Sequence, residues 1–217
     1  MSSSERPGGR QASPHDLTIG MASDPGRVRE RNEDAILALQ FMLAQQGQSP
    51  LPAGLFVVAD GMGGHIRGEQ ASTLAMHLAA RHVLNQVFLP LLDDGGMAER
   101  PPINEALETS VHIAHEAITR RLPEAGTTIT LALVLGDGVY VAHVGDSRAY
   151  QGERGRLQQL TRDHSMAARM LEMGNVSPEQ IALQRNILYK ALGQGVQVEP
   201  DILYRDLGPE QYLLLCC

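Results

Sequence analysis

The stretch Leu55 to His65, LFVVADGMGGH, constrains the fold more than any other part of the chain. Four apolar residues, Leu55 to Val58, read as a short, fully buried strand, after which Asp60, Gly61, Gly63 and Gly64 interrupt the pattern before a helical one begins. A carboxylate therefore stands at the tip of a core strand. An anion there is costly unless neutralised, and the glycines let bare carbonyls and amides crowd the same point. A hard divalent cation held by Asp60 and a glycine carbonyl satisfies both conditions. An Asx-type turn leading into a helix accounts for the stretch equally well, so the remaining chain has to decide.

With 217 residues, 43% of them hydrophobic, the chain has the material for one domain with a large core, and aromatics contribute only 4%. The net charge of -7 speaks against nonspecific binding to nucleic acid or to an anionic membrane, while leaving carboxylates available to a cation. Cys216 and Cys217 are adjacent, so they cannot staple distant parts of a fold, and a reducing cytoplasm suits them. No apolar run is long enough to span a bilayer, and the first residues lack the hydrophobic segment of a secretory signal. A soluble, cytoplasmic monomer is expected.

Residues 1–16, rich in Ser, Gly, Arg and Pro, read as a disordered tail, with one domain over 17–217. Leu17 to Ser23 reads as a first strand, Asp34 to Gln40 as a second, and Gln45 to Gly54, with two prolines, as a connection. Ala71, Leu74, Ala75 and Leu78 keep helical spacing within a helix from Ile66 to Phe88, and Leu107, Val111, Ala114 and Ile118 do so within one from Ile103 to Leu122. Two successive amphipathic helices need a shared surface to cover. The β-rich runs Thr127 to Leu135 and Val139 to Val144, joined by Gly136-Asp137-Gly138, supply it as a hairpin. Arg148 to Gln151 and Leu157 to Leu160 continue a meander. Met166, Met170 and Met173 return to the helical period, Ser177-Pro178 starts a short helix, and Val198 to Leu207 and Gln211 to Cys217 read as strands. Antiparallel strands with paired long helices, without βαβ alternation, indicate an α+β layered sandwich.

Asp60, Asp34, Glu33 and Asp146 all fall at strand ends or strand–loop junctions. Brought to one edge, they repel one another unless cations bind, and oxygen-only ligation selects Mg²⁺ or Mn²⁺. Two such ions suit phosphate-ester hydrolysis, and Arg27, Arg29 and Arg31 offer guanidinium groups for the phosphate. Each feature has a plainer reading: a solvated Glu-Asp pair, a turn at Asp146-Ser147, a surface His65, solvated arginines.

The motifs resemble, in order, those of the bacterial type 2C metal-dependent protein phosphatases. SDPGRVRERNEDA matches the first motif, LFVVADGMGGHIRGEQAS the second, GTTITLALV the third, VAHVGDSRAY with LQQLTRDHS the fourth, and NILYKALG with VEPDI continues the pattern. The resemblance covers Leu17 to the last residue. It implies a four-layer αββα sandwich and two Mn²⁺ or Mg²⁺ ions bridged by a water that attacks phosphoserine or phosphothreonine in a protein substrate. Asp60 matches the residue bridging both metals, Gly61 the carbonyl ligand, Glu33 and Asp34 the holders of metal-bound water, and Arg29 the phosphate-binding arginine. Asp146 matches a ligand of a third, weaker metal, and Met166 to Leu183 a mobile flap. The resemblance makes a serine/threonine kinase or its targets plausible partners.

Two departures stand out. Where some members carry a histidine proposed as general acid, this chain has Met62, and His65 is displaced from that position. QYLLLCC matches a strand that in the family runs on into an Asp-Gly step, so the C-terminal strands and two carboxylates of one metal site are expected to be missing. The expected function is metal-dependent protein phosphatase, weak in the 217-residue form; the alternative is a pseudophosphatase that binds phosphoproteins without turnover.

Overall fold

The computed structural model describes residues 17–27, 31–44, 49–62, 66–92, 101–174, 177–184 and 187–217. In chain order its strands and helices are β1 (Asp34–Leu43), β2 (Leu51–Met62), α1 (Ile66–Val83), α2 (Ile103–Arg121), β3 (Gly126–Thr127), β4 (Ile129–Leu135), β5 (Gly138–Val144), β6 (Arg148–Glu153), β7 (Arg156–Gln159), α3 (Met166–Met173), α4 (Pro178–Leu183), β8 (Asp201–Asp206) and β9 (Gln211–Cys216). One sheet has the order β1-β2-β4-β5-β8, with β3 added to the end of β2, and a second has the order β7-β6-β9. The pairs within both ladders are antiparallel. Gly136, with φ 62°, turns β4 into β5 in the left-handed conformation that glycine adopts freely.

Side chains alternate across a strand, and the two faces of the first sheet build two cores. Leu55, Val57 and Ala59 of β2 and Leu131 and Leu133 of β4 pack with an alanine stripe on α1, Ala71, Ala75 and Ala79, and with Leu107, Val111, Ala114 and Ile118 of α2. The small α1 residues let that helix lie close to the sheet, while α2 packs beside it. On the opposite face, Ala132, Val134, Val139 and Val141 meet Ala149, Leu213 and Leu215 of the second sheet. Strand β4 is thus covered on both sides, which is why its sequence reads as a continuous apolar run. Beside β9 the second sheet stops short of β1, and a cavity of about 430 Å³ opens between them, lined by Leu17, Ile36, Phe56, Leu213 and Leu215 among others.

The α+β class, both long helices and the hairpin β4–β5 match the sequence reading. Four details differ. Leu17 to Ser23 is not a strand; it lies along the cavity, tied to β1 by Gln40 Nε2, which donates to the Leu17 carbonyl at 2.7 Å, rather than by a ladder. Leu51 to Gly54 belongs to β2, not to a connection: Pro52 sits one residue past the β4 ladder, and its carbonyl accepts from Gly136 N at 2.8 Å. Strand β8 begins at Asp201, after Glu199-Pro200, because proline has no N–H for the ladder. Helix α1 loosens into a π turn over Leu84–Phe88, which seats Phe88 edge-on against Phe41 at 4.7 Å. The tail expected over residues 1–16 lies outside the described residues.

Candidate metal centre

Asp60 is not at a turn, as the sequence suggested, but inside β2, because Gly61 and Met62 still pair with Thr127 and Gly126 of β3. Its partner across the ladder is Asp34, the first residue of β1. Directly opposed residues share a face, with Cα atoms roughly 4.5–5.5 Å apart. For Asp60 that face is the one bearing Phe56, which packs between the sheets, so the two carboxylates sit at one end of the inter-sheet space. Two carboxylates opposed in this way raise the local negative potential and favour a cation beside them.

The backbone around Asp60 is fixed by Thr127 of β3 and by Thr128, the residue between β3 and β4. Its N–H donates to Thr128 Oγ1 at 2.9 Å. Its carbonyl accepts from Thr128 N at 2.9 Å and from Thr127 Oγ1 at 2.9 Å. The Thr128 hydroxyl in turn meets Ser147 Oγ at 2.6 Å, both residues being buried. In the sequence the two threonines read as part of a β-rich run and Ser147 as part of a turn; only the fold shows their hydroxyls ordering the backbone of Asp60.

Glu33 precedes β1 and is buried beneath the first turn of α1. Its carbonyl accepts from Gly61 N at 3.2 Å and from Ser72 Oγ at 2.6 Å. Its carboxylate lies over Gly68, where an added Cβ would stand 2.7 Å from Glu33 Oε2. Gly61 faces the same helix, and a Cβ there would stand 2.1 Å from the Gly68 carbonyl. Gly61 and Gly68 therefore serve close packing of strand and helix, whereas the sequence alone suggests for the glycines near Asp60 only a crowding of bare carbonyls and amides.

Asp146, half-buried in the bend between β5 and β6, has its carboxyl pushed up by burial and by Asp163, against the opposite pull of Arg148. Arg148 grips Asp163 through Nε at 2.8 Å and Nη2 at 2.6 Å. Behind this bend is a buried polar group: Thr130 Oγ1 with His143 Nδ1 at 2.9 Å, and His143 stacked near His164 with ring centres 4.9 Å apart. His143 is fully buried and pushed down to about 4 by desolvation, with His164 adding to the effect. Cys217 is exposed as a residue, yet its thiol is pushed up to about 12, by burial first and also by the charges of Asp34 and Asp60, against a hydrogen bond with Ser147. Strand β9 pairs with β6 as far as Cys216, opposite Arg148, and so ends beside the Asp146 bend. Arg29 and His65 lie outside the described residues, as do Gly63 and Gly64.

Among the described residues no group of three or more His, Cys, Asp or Glu side chains converges on one point. The Asp34–Asp60 pair is nonetheless of the kind a hard divalent cation takes: two carboxylates on one face of the ladder, with Glu33 next to Asp34 in the chain and its carbonyl bonded to the Gly61 N–H. The carboxylates of the pair are the hard oxygen donors that suit Mn²⁺ or Mg²⁺.

The family model for protein phosphatase 2C matches residues 28–186. The chain is 33% identical over 196 residues to the serine/threonine phosphatase Stp of Listeria welshimeri, covering 89% of this chain and 74% of that protein. It is 32% identical to the serine/threonine protein phosphatase PstP of Mycobacterium tuberculosis, covering 92% of this chain but 35% of that longer protein. The crystal structure of M. tuberculosis PstP aligns with a TM-score of 0.67 at 31% identity, over 90% of this chain and 76% of that one. A PstP catalytic domain in complex with two manganese ions aligns with a TM-score of 0.66 at 30% identity, over 89% and 74% of the two chains. No helix among the described residues is long and apolar enough to cross a membrane. An acidic pair held in register between two antiparallel sheets, and similarity of this extent in sequence and fold, make the chain a member of the protein phosphatase 2C family.

Proposed function

We propose that the chain hydrolyses phosphoserine and phosphothreonine in proteins, using Mn²⁺ or Mg²⁺. The observation that carries this reading is the Asp34–Asp60 register pair, fixed by Thr127 and Thr128 at one end of the sandwich. Asp60 would be shared by two ions, the Gly61 carbonyl would add a ligand, and Glu33 and Asp34 would hold water in the metal shell. Asp146 would serve a third, weaker ion. When bound, the metals supply an acidic water and offset charge on the phosphoryl oxygens. The chain's own work is positional. Threonine hydroxyls on both sides of Asp60 hold its backbone and so fix where its carboxylate stands, and Ser72 of α1 holds the Glu33 carbonyl. Arg29 would hold the phosphate through a bidentate pair.

The substrate partner is a phosphorylated protein, and the opposing activity a serine/threonine kinase. A monomer in a reducing compartment such as the cytoplasm suits a chain whose cysteines are the adjacent Cys216 and Cys217.

The test is calorimetric titration of Mn²⁺ into the 217-residue protein, with p-nitrophenyl phosphate and a phosphothreonine peptide assayed on the same sample. Mn²⁺ binding with Mn²⁺-dependent turnover is expected, abolished in Asp60→Asn; Arg29→Ala should act mainly on KM. Turnover by Asp60→Asn equal to wild type would falsify the metal reading. Peptide binding without turnover would favour the phosphoprotein-binding module.

A further inference from the structure

The polar group behind the Asp146 bend has a directional arrangement that the proposed catalytic roles do not use. His164, 2% exposed, engages both backbone groups of Gly145: its own N–H donates to the Gly145 carbonyl at 2.7 Å, and the Gly145 N–H donates to His164 Nδ1 at 3.1 Å. An Nδ1 that accepts carries no hydrogen, so the ring proton is on Nε2, which donates to Asp201 Oδ2 at 3.1 Å. The other Asp201 oxygen accepts from Lys190 Nζ at 3.0 Å. The His164 carbonyl accepts from Tyr189 N at 2.9 Å. Gly145 itself takes φ 112°, and a Cβ there would stand 2.5 Å from Thr128 Cγ2, so the bend is pressed onto the same threonine that fixes Asp60.

We propose that His164 is a positioning residue: braced by Asp201 and Lys190, it clamps Gly145 at both backbone groups and so sets where the Asp146 carboxylate stands relative to Asp60. The proposal rests on the reading of Asp146 as a metal ligand given above. The clamp has a consequence for the segment after α4. Tyr189 and Lys190 bind to the His164 side of the bend, and Leu192 exchanges two hydrogen bonds with Thr127, at 2.9 and 3.1 Å, whose hydroxyl holds the Asp60 carbonyl. The chain leaving α4 is thereby stitched to both carboxylate positions.

The two amide replacements of histidine separate its two nitrogens. Asparagine places a carbonyl near Nδ1 and keeps an acceptor for Gly145; glutamine reaches towards Nε2 and keeps the Asp201 contact while losing Gly145. Amide hydrogen exchange at Gly145 in the metal-free protein reads the clamp directly, and Mn²⁺ calorimetry on the 217-residue protein reads its effect. In His164→Gln, faster Gly145 exchange and a roughly tenfold weaker Mn²⁺ site are expected, with smaller changes in both for His164→Asn, which keeps the acceptor but loses the Asp201 brace. Asp201→Ala, at a half-exposed side chain, should show the same changes in weaker form and serves if the histidine variants fail to fold. Gly145 exchange and Mn²⁺ affinity unchanged in folded His164→Gln, or in Asp201→Ala, would overturn the proposal. So would faster exchange with unchanged Mn²⁺ affinity, which leaves the phosphatase reading intact. Absence of Mn²⁺ binding in wild type would instead remove the metal reading itself, and the proposal with it.

Discussion

Glu33 and Gly68 show how one hydrogen atom's worth of space sets a carboxylate. The Glu33 carboxylate rests on Gly68 in the first turn of α1, with backbone of Gly61 on the other side of the same gap. Gly68→Ala has two opposing effects. Alanine improves helix propensity by about 1 kcal/mol, while its methyl group pushes against Glu33 Oε2. Thermal stability should change little, whereas Mn²⁺ affinity should fall roughly tenfold, as displacement of a group supporting a metal shell does. Unfolding temperature and calorimetry on the same variant separate the two effects; an unchanged Mn²⁺ affinity would show that Glu33 takes no part in the metal shell.

Strand β4 is buried over nearly its whole length, Ile129 to Val134 lying between the helices and the second sheet. Leu131→Ala, at a fully buried position, should cost about 2–5 kcal/mol in urea unfolding, against about 0.5 kcal/mol or less for Leu157→Ala on half-exposed β7. Elements of this kind were legible in the sequence because their signals are local: helical spacing in α1 and α2, two apolar runs around Gly136, Ser177-Pro178 at the start of α4. The position of Asp60 inside a strand was not legible, because the pairing that extends β2 comes from Gly126 and Thr127, far along the chain. The hydroxyls of Thr128 and Ser147 gave no separate signal, since threonine suits a strand and serine a bend without any further duty. His164 and Asp201 appeared in the sequence only as parts of familiar motifs; what relates them is a contact across 37 residues.

At the scale of the molecule, the buried histidines make stability depend on pH. His143 ordinarily titrates near 6.5, and burial pushes it down to about 4, with His164 lowering it further and the Arg162 carbonyl, Asp201 and Asp163 opposing. Between those values the unfolded chain takes up a proton that the folded one refuses. The stabilisation is thus complete above pH 6.5 and lost as pH falls towards 4, with a full span of about 3 kcal/mol. Urea midpoints between pH 7 and pH 4 should fall in wild type and fall less steeply in His143→Gln; parallel curves would assign the acid sensitivity elsewhere.

Strand β9 pairs with β6 across a long sequence separation, Gln211 meeting Glu153 and Cys216 meeting Arg148, whereas β1–β2 and β4–β5 are joined by short connections. Closing a long loop carries an entropic cost before any contact rewards it, so the hairpins should assemble first and β9 dock late. Because β9 supplies Leu213 and Leu215 to the core between the sheets, that core closes only in this last step. A chain emerging from the ribosome would therefore set Asp34 opposite Asp60 before the second sheet closes over that face, so the register of the acidic pair does not wait for the sandwich.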